Sequence, residues 1–391
     1  MFNKSLIEKL QTIETPFYYY DLELLKNTIA AVKAEADKYN FHIHYALKAN
    51  ANEQLLKIIC KAGFGADCVS GNEVKAALKN NFNPSSIVFA GVGKTDKEIT
   101  ESLVSDIFCF NCESIEEIKV INDLASSLNK KARIALRINP NVNANTHHYI
   151  TTGLEENKFG INFWELESVM DEIKNSSNID LIGLHFHIGS QICDLEPFRL
   201  LCTRVNEIQH WFETRNISIA HLNVGGGLGV NYHEPDKNAV PDFKSYFEVF
   251  NKFLDIKKHQ QVHFELGRSI VAQCGVLISK VLFIKKGKKT NFIILDAGMT
   301  ELIRPALYQS YHKIENLTAE FLSFERDKVE TNYDVAGPIC ESSDCFAKSY
   351  LLPESKRGDL IALRTTGAYG QVMSLEYNLR ERAKAIYSDG I

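Results

Sequence analysis

Hydrophobic and polar residues alternate from Phe41 to Leu47, as in a strand that buries one face, and Lys48 stands at the end of this segment. Further along the chain, strand-like segments alternate with segments whose apolar residues lie three and four positions apart, which predicts helices. The predicted strands are Phe41 to Lys48, Gly65 to Val69, Ile87 to Ala90, Ile107 to Phe110, Arg133 to Ile138, Leu181 to Ile188, Ala220 to Val224 and Val262 to Leu266.

Helical spacing precedes the first of these strands and fills the intervals between them. The predicted helices lie near Leu24 to Tyr39, Gln54 to Ala62, Asn72 to Leu78, Lys97 to Leu103, Ile115 to Leu128, Trp164 to Ile173, Phe198 to Phe212 and Phe243 to Ile256. Eight strand-helix units are the number that closes a (β/α)₈ barrel, whereas a doubly wound open sheet is the competing interpretation. In both architectures, active sites are built at the carboxyl ends of the strands.

The last third of the chain has a different pattern. Beyond Arg268 the helical spacing gives way to short apolar runs, which predict an all-β domain. These runs are Ile270 to Lys280, Phe292 to Asp296, Asp334 to Ala336 and Leu360 to Leu363. An aromatic run from Pro16 to Asp21 predicts one more strand near the start. A chain of 391 residues is long enough for two domains.

Charge and cysteine content narrow the class of protein. With 44 basic and 49 acidic residues, the net charge of −5 provides no positive field for nucleic acid or an anionic membrane. No apolar segment approaches the roughly 20 residues that cross a bilayer. The net charge thus favours a small-molecule partner. The nine cysteines are scattered and odd in number, and the first residues lack a signal-like apolar run, so we expect reduced thiols in the cytoplasm.

Chemically active residues lie near the carboxyl ends of the predicted strands or directly after them. They are Lys48, Asp67, His185, His187, Ser190, Gly225 to Gly229, Glu265 and Arg268. A partly desolvated lysine such as Lys48 is a nucleophile for a carbonyl, although a surface lysine is the ordinary alternative. The glycine run can bring backbone amides close to an anion, although a tight turn is the ordinary alternative.

Three other kinds of motif give weak evidence for a functional site. Gly91-Val92-Gly93-Lys94-Thr95 ends like a phosphate-binding loop, but Val88 stands where that motif needs its first glycine, so we reject it. The pairs His42/His44 and His185/His187 lack a neighbouring carboxylate or thiol, and metal binding is the minority interpretation. Cys109 and Cys112 have redox or zinc spacing without a second pair, which favours two buried thiols. We predict no metal.

A lysine, an anion-binding loop, an imidazole and a carboxylate in one cavity suit an aldehyde cofactor that carries a phosphate. Pyridoxal 5′-phosphate fits, because Lys48 would form the Schiff base and the glycines would hold the phosphate. Glu265 would keep the pyridine nitrogen protonated, which draws electrons from a developing carbanion.

Seven segments, spread over nearly the whole chain, resemble the alanine-racemase-like, fold type III group of pyridoxal phosphate enzymes. They are Tyr45 to Asn50, His185 to Gln191, Gly225 to Gly229, Glu265 to Arg268, Arg304 to Tyr308, Gly337 to Asp344 and Gly367 to Gly370. Leu266 departs from the proline that relatives commonly have. The resemblance implies a pyridoxal-phosphate-binding barrel over 25–268. It also implies a β-sandwich or barrel-like domain over 269–391 that includes the strand of the N-terminal segment 1–24.

The resemblance also implies roles for individual residues. Cofactor binding falls to Lys48, Asp67, His187, Ser190, Gly225, Gly226, Gly227, Glu265, Gly267, Arg268 and Tyr369. Lys48 would form the Schiff base and His187 would stack on the ring. Substrate binding falls to Arg268, Arg304, Tyr308, Glu341 and Tyr369. Cys340 would be the proton donor and, with Glu341, would enter the partner's site in a head-to-tail homodimer.

The activity implied by the resemblance is decarboxylation of meso-2,6-diaminopimelate to L-lysine and CO₂, the last step of lysine biosynthesis. This substrate has a second carboxylate, which suits the bidentate donors of Arg268 and Arg304, while Glu341 complements its far ammonium group. For the arginines the alternative is an ordinary surface ion pair. Decarboxylation of ornithine, arginine or D-lysine is the second hypothesis, racemisation the third and a cofactor carrier the fourth. The loop at 139–160 is a candidate lid.

Overall fold

The structure is a computed structural model that describes residues 1–142, 158–322 and 329–391. The chain divides into two compact units. The barrel unit consists of residues 29–229 and 242–267, and the sheet unit of residues 1–28, 230–241 and 268–391. Most of the predicted lid at 139–160 lies outside the described residues.

Strands and helices are numbered in chain order. The strands are β1 (Phe17–Tyr20), β2 (Phe41–Ala46), β3 (Gly65–Cys68), β4 (Ile87–Phe89), β5 (Cys109–Cys112), β6 (Ala132–Arg137), β7 (Ile179–His185), β8 (His221–Asn223), β9 (Gln261–Leu266), β10 (Gly275–Lys286), β11 (Asn291–Leu295), β12 (Ile314–Asn316), β13 (Glu330–Ala336), β14 (Cys345–Pro353), β15 (Leu360–Leu363) and β16 (Lys384–Tyr387). The helices are α1 (Lys4–Leu10), α2 (Leu22–Asp37), α3 (Glu53–Lys61), α4 (Gly71–Lys79), α5 (Asp96–Val104), α6 (Ile115–Ser127), α7 (Leu166–Asn175), α8 (Glu196–Glu213), α9 (Phe243–Phe253), α10 (Arg268–Val271), α11 (Arg304–Tyr308) and α12 (Leu317–Phe321). Within the described ranges, no helix combines the length and apolar character needed to span a membrane.

The barrel unit is a closed ring of parallel strands. β2 to β9 pair in chain order, and β9 returns to pair with β2, with Tyr45 opposite Leu266. The predicted (β/α)₈ barrel is therefore confirmed, and the open-sheet alternative is wrong. β5 begins at Cys109 rather than Ile107, and β7 ends at His185, which leaves His187 beyond the strand.

Side-chain caps fix where the barrel helices begin. The Ser70 hydroxyl accepts a hydrogen bond from the Glu73 amide at the start of α4, and Thr95 and Glu98 form a reciprocal capping box at the start of α5. Caps of this kind stabilise a helix by about 1 kcal/mol each, because they satisfy amides that have no partner within the helix. The loops that follow β3 and β4 are therefore short and well defined.

The amino-terminal part of the barrel interior holds a chain of histidines. His44 Nδ1 lies 3.0 Å from the carbonyl oxygen of Ser86, and His44 Nε2 lies 3.0 Å from His263 Nδ1. His263 Nε2 in turn lies 3.0 Å from His221 Nδ1. Because a carbonyl can only accept, each neutral ring must donate through Nδ1 and accept through Nε2. Within the described ranges, no three His, Cys, Asp or Glu side chains are placed to hold a metal.

This histidine chain predicts acid sensitivity. Burial lowers the pKa of His44 from its model-compound value of 6.5 to about 4, and burial also lowers the pKa of His263. The unfolded chain therefore takes up protons first as the pH falls, so the fold loses stability from about pH 6.5 downwards. For His44 alone, we expect the free energy of unfolding to fall by roughly 2 kcal/mol between pH 7 and pH 5.

Urea denaturation at pH 7 and at pH 5 measures this loss. In a His44→Gln variant the difference between the two pH values should shrink by that amount. A His210→Gln variant is the matched control, because the side chain of His210 is 76% exposed. An equal pH difference in wild type and His44→Gln would contradict the assignment.

The sheet unit is built on β10. The sheet has the order β12-β15-β10-β11-β13-β14, and β1 pairs antiparallel with β10 and parallel with β16. The predicted N-terminal strand therefore does belong to this mostly antiparallel unit. The predicted run from Ile270 to Lys280 is only partly a strand, since the short helix α10 precedes β10. A cluster that includes Ile7, Leu10 and Phe17 packs α1 and β1 against β10 and β15.

Candidate active site

Lys48 lies directly after β2, in a single 3₁₀ turn formed by Leu47–Ala49. The turn is held in place where the chain leaves it, because the Tyr45 hydroxyl donates to the carbonyl oxygen of Asn50 over 2.8 Å. Lys48 Nζ lies 2.7 Å from Asp67 Oδ2, with the lysine side chain 34% exposed and the aspartate fully buried. Burial raises the pKa of Asp67, and the negative charge of Glu265 adds to this, while Lys48 opposes both effects. The amine is thus fixed beside a carboxyl group that holds a proton more readily than usual.

Glu265 is a buried carboxylate held by three donors. Its Oε1 accepts from Asn223 Nδ2 over 2.7 Å and from Asn111 Nδ2 over 3.2 Å. Its Oε2 lies 3.0 Å from His185 Nε2. Burial acts to raise the pKa of Glu265, but His185 and Lys48 outweigh it and hold the pKa well below its usual range. The carboxyl group is therefore ionised.

His187 and the glycine run lie side by side. Burial, helped by the positive charge of Arg137, lowers the pKa of His187 to about 3, so the ring is neutral. The amide of Gly226 donates to His187 Nδ1 over 3.4 Å. Gly225 and Gly227 have φ values of +71° and +106°, and a Cβ on Gly226 would collide with the carbonyl oxygen of Glu265. Only glycine fits at these positions.

The donors and acceptors of the barrel unit fit pyridoxal phosphate. An amine next to a buried carboxyl group suits a covalent bond to an aldehyde, and a buried ionised carboxylate suits a protonated pyridine nitrogen. A neutral imidazole offers a flat face without a competing charge. The glycine loop has no side chains, so a phosphate could approach its backbone amides closely.

A second network supports the loops around this site. Glu113 Oε1 accepts from Arg137 Nη1 over 2.8 Å and from the Gly91 amide over 3.0 Å, and its Oε2 accepts from the Gly160 amide over 3.0 Å. Lys94 Nζ donates to the carbonyl oxygens of Gly91 and Asn111. The segment that ends like a phosphate-binding loop thus uses its lysine to hold neighbouring loops together.

The sheet unit gathers the predicted arginines. Arg268 Nη1 donates to the Tyr232 hydroxyl over 2.5 Å, and its guanidinium lies 4.8 Å from the centre of the Tyr369 ring. The Arg304 guanidinium lies 5.6 Å and 6.0 Å from the ring centres of Tyr232 and Tyr308. Both arginines are only 6% exposed. Four of the predicted substrate residues, Arg268, Arg304, Tyr308 and Tyr369, therefore belong to one cluster.

The hydrogen-bond partners of Arg304 are neutral groups. Its Nε lies 3.4 Å from His312 Nε2 and its Nη2 lies 3.4 Å from Ser310 Oγ. His312 Nδ1 donates to the carbonyl oxygen of Arg364 over 2.9 Å, which leaves Nε2 as the acceptor. Burial lowers the pKa of His312 to about 3. Among the described residues, no carboxylate lies within 4.0 Å of the Arg304 guanidinium.

Cys340 and Glu341 differ from the buried arginines of that cluster in their exposure to solvent. Both are exposed, and Tyr377 donates its hydroxyl to Glu341 Oε1 over 3.0 Å. The Cys340 amide donates to Asn378 Oδ1 over 3.4 Å. In the part of the chain that the structure describes, no hydrogen bond or ion pair joins Glu341 to Arg304.

The sequence patterns did not single out several residues that the structure places at the two sites. They are Glu73, Asn111, Asn223, Tyr232 and His312. Asn111 lies in the carboxyl half of the otherwise apolar, buried strand β5, and Asn223 is the buried last residue of β8. A buried amide near the carboxyl end of a strand is the signal that could have identified them. Glu73 accepts from the Val69 amide over 2.7 Å, and burial raises its pKa to about 7.

Comparison with known proteins identifies a family and several full-length relatives. Residues 22–272 match the family described as pyridoxal-dependent decarboxylase, pyridoxal binding domain. A relative from Bacteroides thetaiotaomicron named diaminopimelate decarboxylase is 56% identical over 98% of both chains. One of the same name from Aquifex aeolicus is 40% identical over 98% of this chain and 88% of its own.

Solved structures show the same likeness. The crystal structure of diaminopimelate decarboxylase from Helicobacter pylori complexed with L-lysine has a TM-score of 0.90 and 40% identity, and the match covers 98% of this chain and 93% of that one. The arginine decarboxylase of Paramecium bursaria Chlorella virus has a TM-score of 0.86 and 21% identity over 98% of this chain and 100% of that one. At this low identity the likeness shows only a shared fold.

Proposed function

The chain belongs to the family of pyridoxal-dependent decarboxylases, and we propose that it decarboxylates meso-2,6-diaminopimelate to L-lysine and CO₂ with pyridoxal phosphate as its cofactor. The named activity of relatives that match over almost the whole chain supports this substrate. The lysine bound in the Helicobacter pylori enzyme is the product expected of such a reaction. Decarboxylation of ornithine, arginine or D-lysine is the second hypothesis.

The observation that carries the substrate choice is the environment of Arg304. Burial lowers the pKa of this guanidinium, and the nearby charge of Arg268 lowers it further, yet it keeps its proton at any physiological pH. A buried cation with no carboxylate partner is costly, and a carboxylate of the substrate would offset that cost. Diaminopimelate brings two carboxylates, whereas ornithine and arginine bring one. Two neighbouring arginines therefore favour diaminopimelate.

In the proposed reaction, the cofactor supplies an electron-withdrawing ring that accepts the electron pair left when the substrate carboxylate departs as CO₂. Lys48 would bind the cofactor aldehyde through Nζ, and Asp67 fixes the position of that amine. Because its pKa is raised, Asp67 can hold the proton that the lysine must release before it attacks. Glu265 would hold the protonated ring nitrogen, and the neutral His187 would cover one face of the ring.

The remaining site residues have proposed roles in substrate binding, cofactor binding and proton return. We propose that Arg268, Arg304, Tyr308 and Tyr369 bind its carboxylates and that Glu341 binds its far ammonium group. Ser190, Gly225, Gly226, Gly227, Gly267, Arg268 and Tyr369 would contribute to cofactor binding. Cys340 would return a proton to the carbon that has lost CO₂.

We also propose a homodimer that works in the cytoplasm. The exposure of both Cys340 and Glu341 suits residues that serve a partner's site, as the family resemblance implies. Cys68, Cys109 and Cys112 are buried thiols, which suits a reducing compartment.

The proposed reaction is tested by its stoichiometry. Purified protein loaded with pyridoxal phosphate and given meso-diaminopimelate should release CO₂ and lysine in equal amounts. Epimerisation of the substrate without CO₂ release would favour racemisation instead.

Shared sites predict complementation between two inactive variants. Lys48→Ala and Cys340→Ala, produced together in one cell, should form mixed dimers in which one of the two sites has both residues intact. With random pairing, we expect on the order of one quarter of wild-type activity, measured as CO₂ release. Each variant produced alone gives the baseline. A mixture no more active than these baselines would argue against sites built from two subunits.

A further inference from the structure

His185 holds the carboxylate that the proposed function assigns to the pyridine nitrogen. It is the last residue of β7, and its ring is only 1% exposed. Its Nε2 lies 3.0 Å from Glu265 Oε2. We infer that His185 is a positioning residue that keeps Glu265 ionised and leaves one acceptor site, on Oε2, for the ring nitrogen. This inference rests on the proposed use of pyridoxal phosphate and says nothing about which amino acid is the substrate.

The hydrogen bonds determine where the proton lies. An ionised carboxylate only accepts hydrogen bonds, so His185 must carry a hydrogen on Nε2. Its Nδ1 is buried and has no hydrogen-bond partner among the described residues. The contact with Glu265 therefore places a hydrogen on Nε2 in the neutral and in the protonated ring alike. The geometry excludes the ring that carries its hydrogen on Nδ1 alone.

A count of lone pairs identifies the free acceptor of Glu265. Each carboxylate oxygen has two acceptor sites. Asn111 and Asn223 occupy both sites of Oε1, and His185 occupies one site of Oε2. With respect to the described residues, one site remains, and it is on the oxygen that His185 holds. The orientation of this last site therefore depends on His185 rather than on the asparagines.

The charge of Glu265 depends on the same contact. Burial is the strongest influence on this carboxyl group and raises its pKa, and His185 is the strongest influence that lowers it. Without His185, the amides of Asn111 and Asn223 are neutral donors that compensate less for burial. The carboxyl group would then become protonated and would compete for a donor role with the ring nitrogen. His187 cannot replace His185, since it lies beyond the end of β7, where it accepts from the Gly226 amide.

The test compares two substitutions of His185. His185→Leu removes the donor, whereas His185→Gln places an amide N–H close to the position of Nε2. In His185→Leu we expect kcat to fall about 10²-fold with KM unchanged, and in His185→Gln we expect a fall of no more than about tenfold. His221→Gln is the matched control, because His221 is a partly buried barrel histidine that contacts His263 instead of Glu265.

Two spectroscopic measurements separate this role from a merely structural one. Infrared difference spectra of the cofactor-free proteins against Glu265→Gln should show an ionised Glu265 in wild type and a protonated one in His185→Leu. The ¹⁵N chemical shift of ¹⁵N-labelled pyridoxal phosphate in the substrate-free protein should show a protonated pyridine nitrogen in wild type and an unprotonated one in His185→Leu.

Every outcome bears on the inference. An ionised Glu265 and a protonated pyridine nitrogen in His185→Leu would overturn it, while leaving the proposed reaction untouched. Failure of the wild type to decarboxylate diaminopimelate would remove the proposed substrate without changing either spectrum. If His185→Leu does not fold, ¹⁵N-histidine spectra of wild type and His185→Gln decide, since His185 must carry its hydrogen on Nε2. A hydrogen on Nδ1 alone would overturn the inference.

Discussion

Replacing Lys48 with alanine is expected to abolish decarboxylation and the covalent link to the cofactor together. The structure fixes the amine 2.7 Å from the buried carboxyl group of Asp67, and alanine has no group that can bind an aldehyde. Loss of a nucleophile costs other enzymes several orders of magnitude, and we expect a fall in kcat of at least about 10³-fold. The visible absorption of the bound cofactor should shift at the same time, because free aldehyde replaces the lysine-linked form.

The control for this prediction is another lysine of the same unit. Lys57 forms an exposed ion pair with Glu53, and its side chain is 55% exposed, so Lys57→Ala should keep full activity and an unchanged cofactor spectrum. Thermal unfolding should confirm that Lys48→Ala is folded. A Lys48→Ala protein with wild-type activity would show that another amine binds the cofactor, and the proposed site would be wrong.

Replacing Arg304 with alanine is expected to weaken diaminopimelate binding while leaving cofactor binding intact. Removal of one member of a buried charge pair costs about 2–5 kcal/mol, so kcat/KM should fall by roughly 30-fold to several thousand-fold. Arg304→Lys keeps the charge but loses the bidentate fork, and we expect an intermediate loss. Steady-state kinetics with diaminopimelate and a pyridoxal phosphate titration measure the two effects separately.

The control for Arg304→Ala is the removal of another arginine, which deletes the same positive charge. Arg382 pairs with Glu376, and its side chain is 61% exposed, so Arg382→Ala should change KM little. An unchanged KM and kcat/KM in Arg304→Ala would contradict the assigned role. Equal weakening of cofactor and substrate binding would indicate that the cluster with Tyr232 and His312 only stabilises the sheet unit.

The barrel could be predicted from the sequence because each of its units is local. An apolar strand, a polar capping residue such as Ser70 or Thr95 and a helix of regular spacing all lie within about 30 residues of one another. The strands of the sheet unit are different. β14 has a mixed burial pattern, and β12 and β16 are only three and four residues long, so their positions depend on pairing with distant strands. Local sequence patterns carry little information about such pairing.

Strand patterns predicted some residues of the candidate site, and only the family resemblance supplied the others. Lys48, Asp67 and Glu265 lie in or near the carboxyl halves of predicted strands, so the barrel hypothesis alone brings them towards one end of the barrel. The substrate residues Arg304 and Glu341 came from family resemblance, and their roles remain predictions.

Sequence patterns could not predict which side chains contact each other across the barrel interior. Asn111 lies in β5 and reaches Glu265 in β9, and these strands are not neighbours. The contact exists only because the sheet closes on itself, and a one-dimensional pattern does not show which interior side chains then meet.

The central claim is the choice of substrate, and the most direct measurement is CO₂ release from four amino acids offered in parallel. Purified, pyridoxal-phosphate-loaded protein would receive meso-diaminopimelate, lysine, ornithine and arginine at equal concentrations. The account predicts release from diaminopimelate alone, with lysine as the product. Release from ornithine or arginine but not from diaminopimelate would contradict it, and would mean that the arginine cluster of the sheet unit does not bind a second substrate carboxylate.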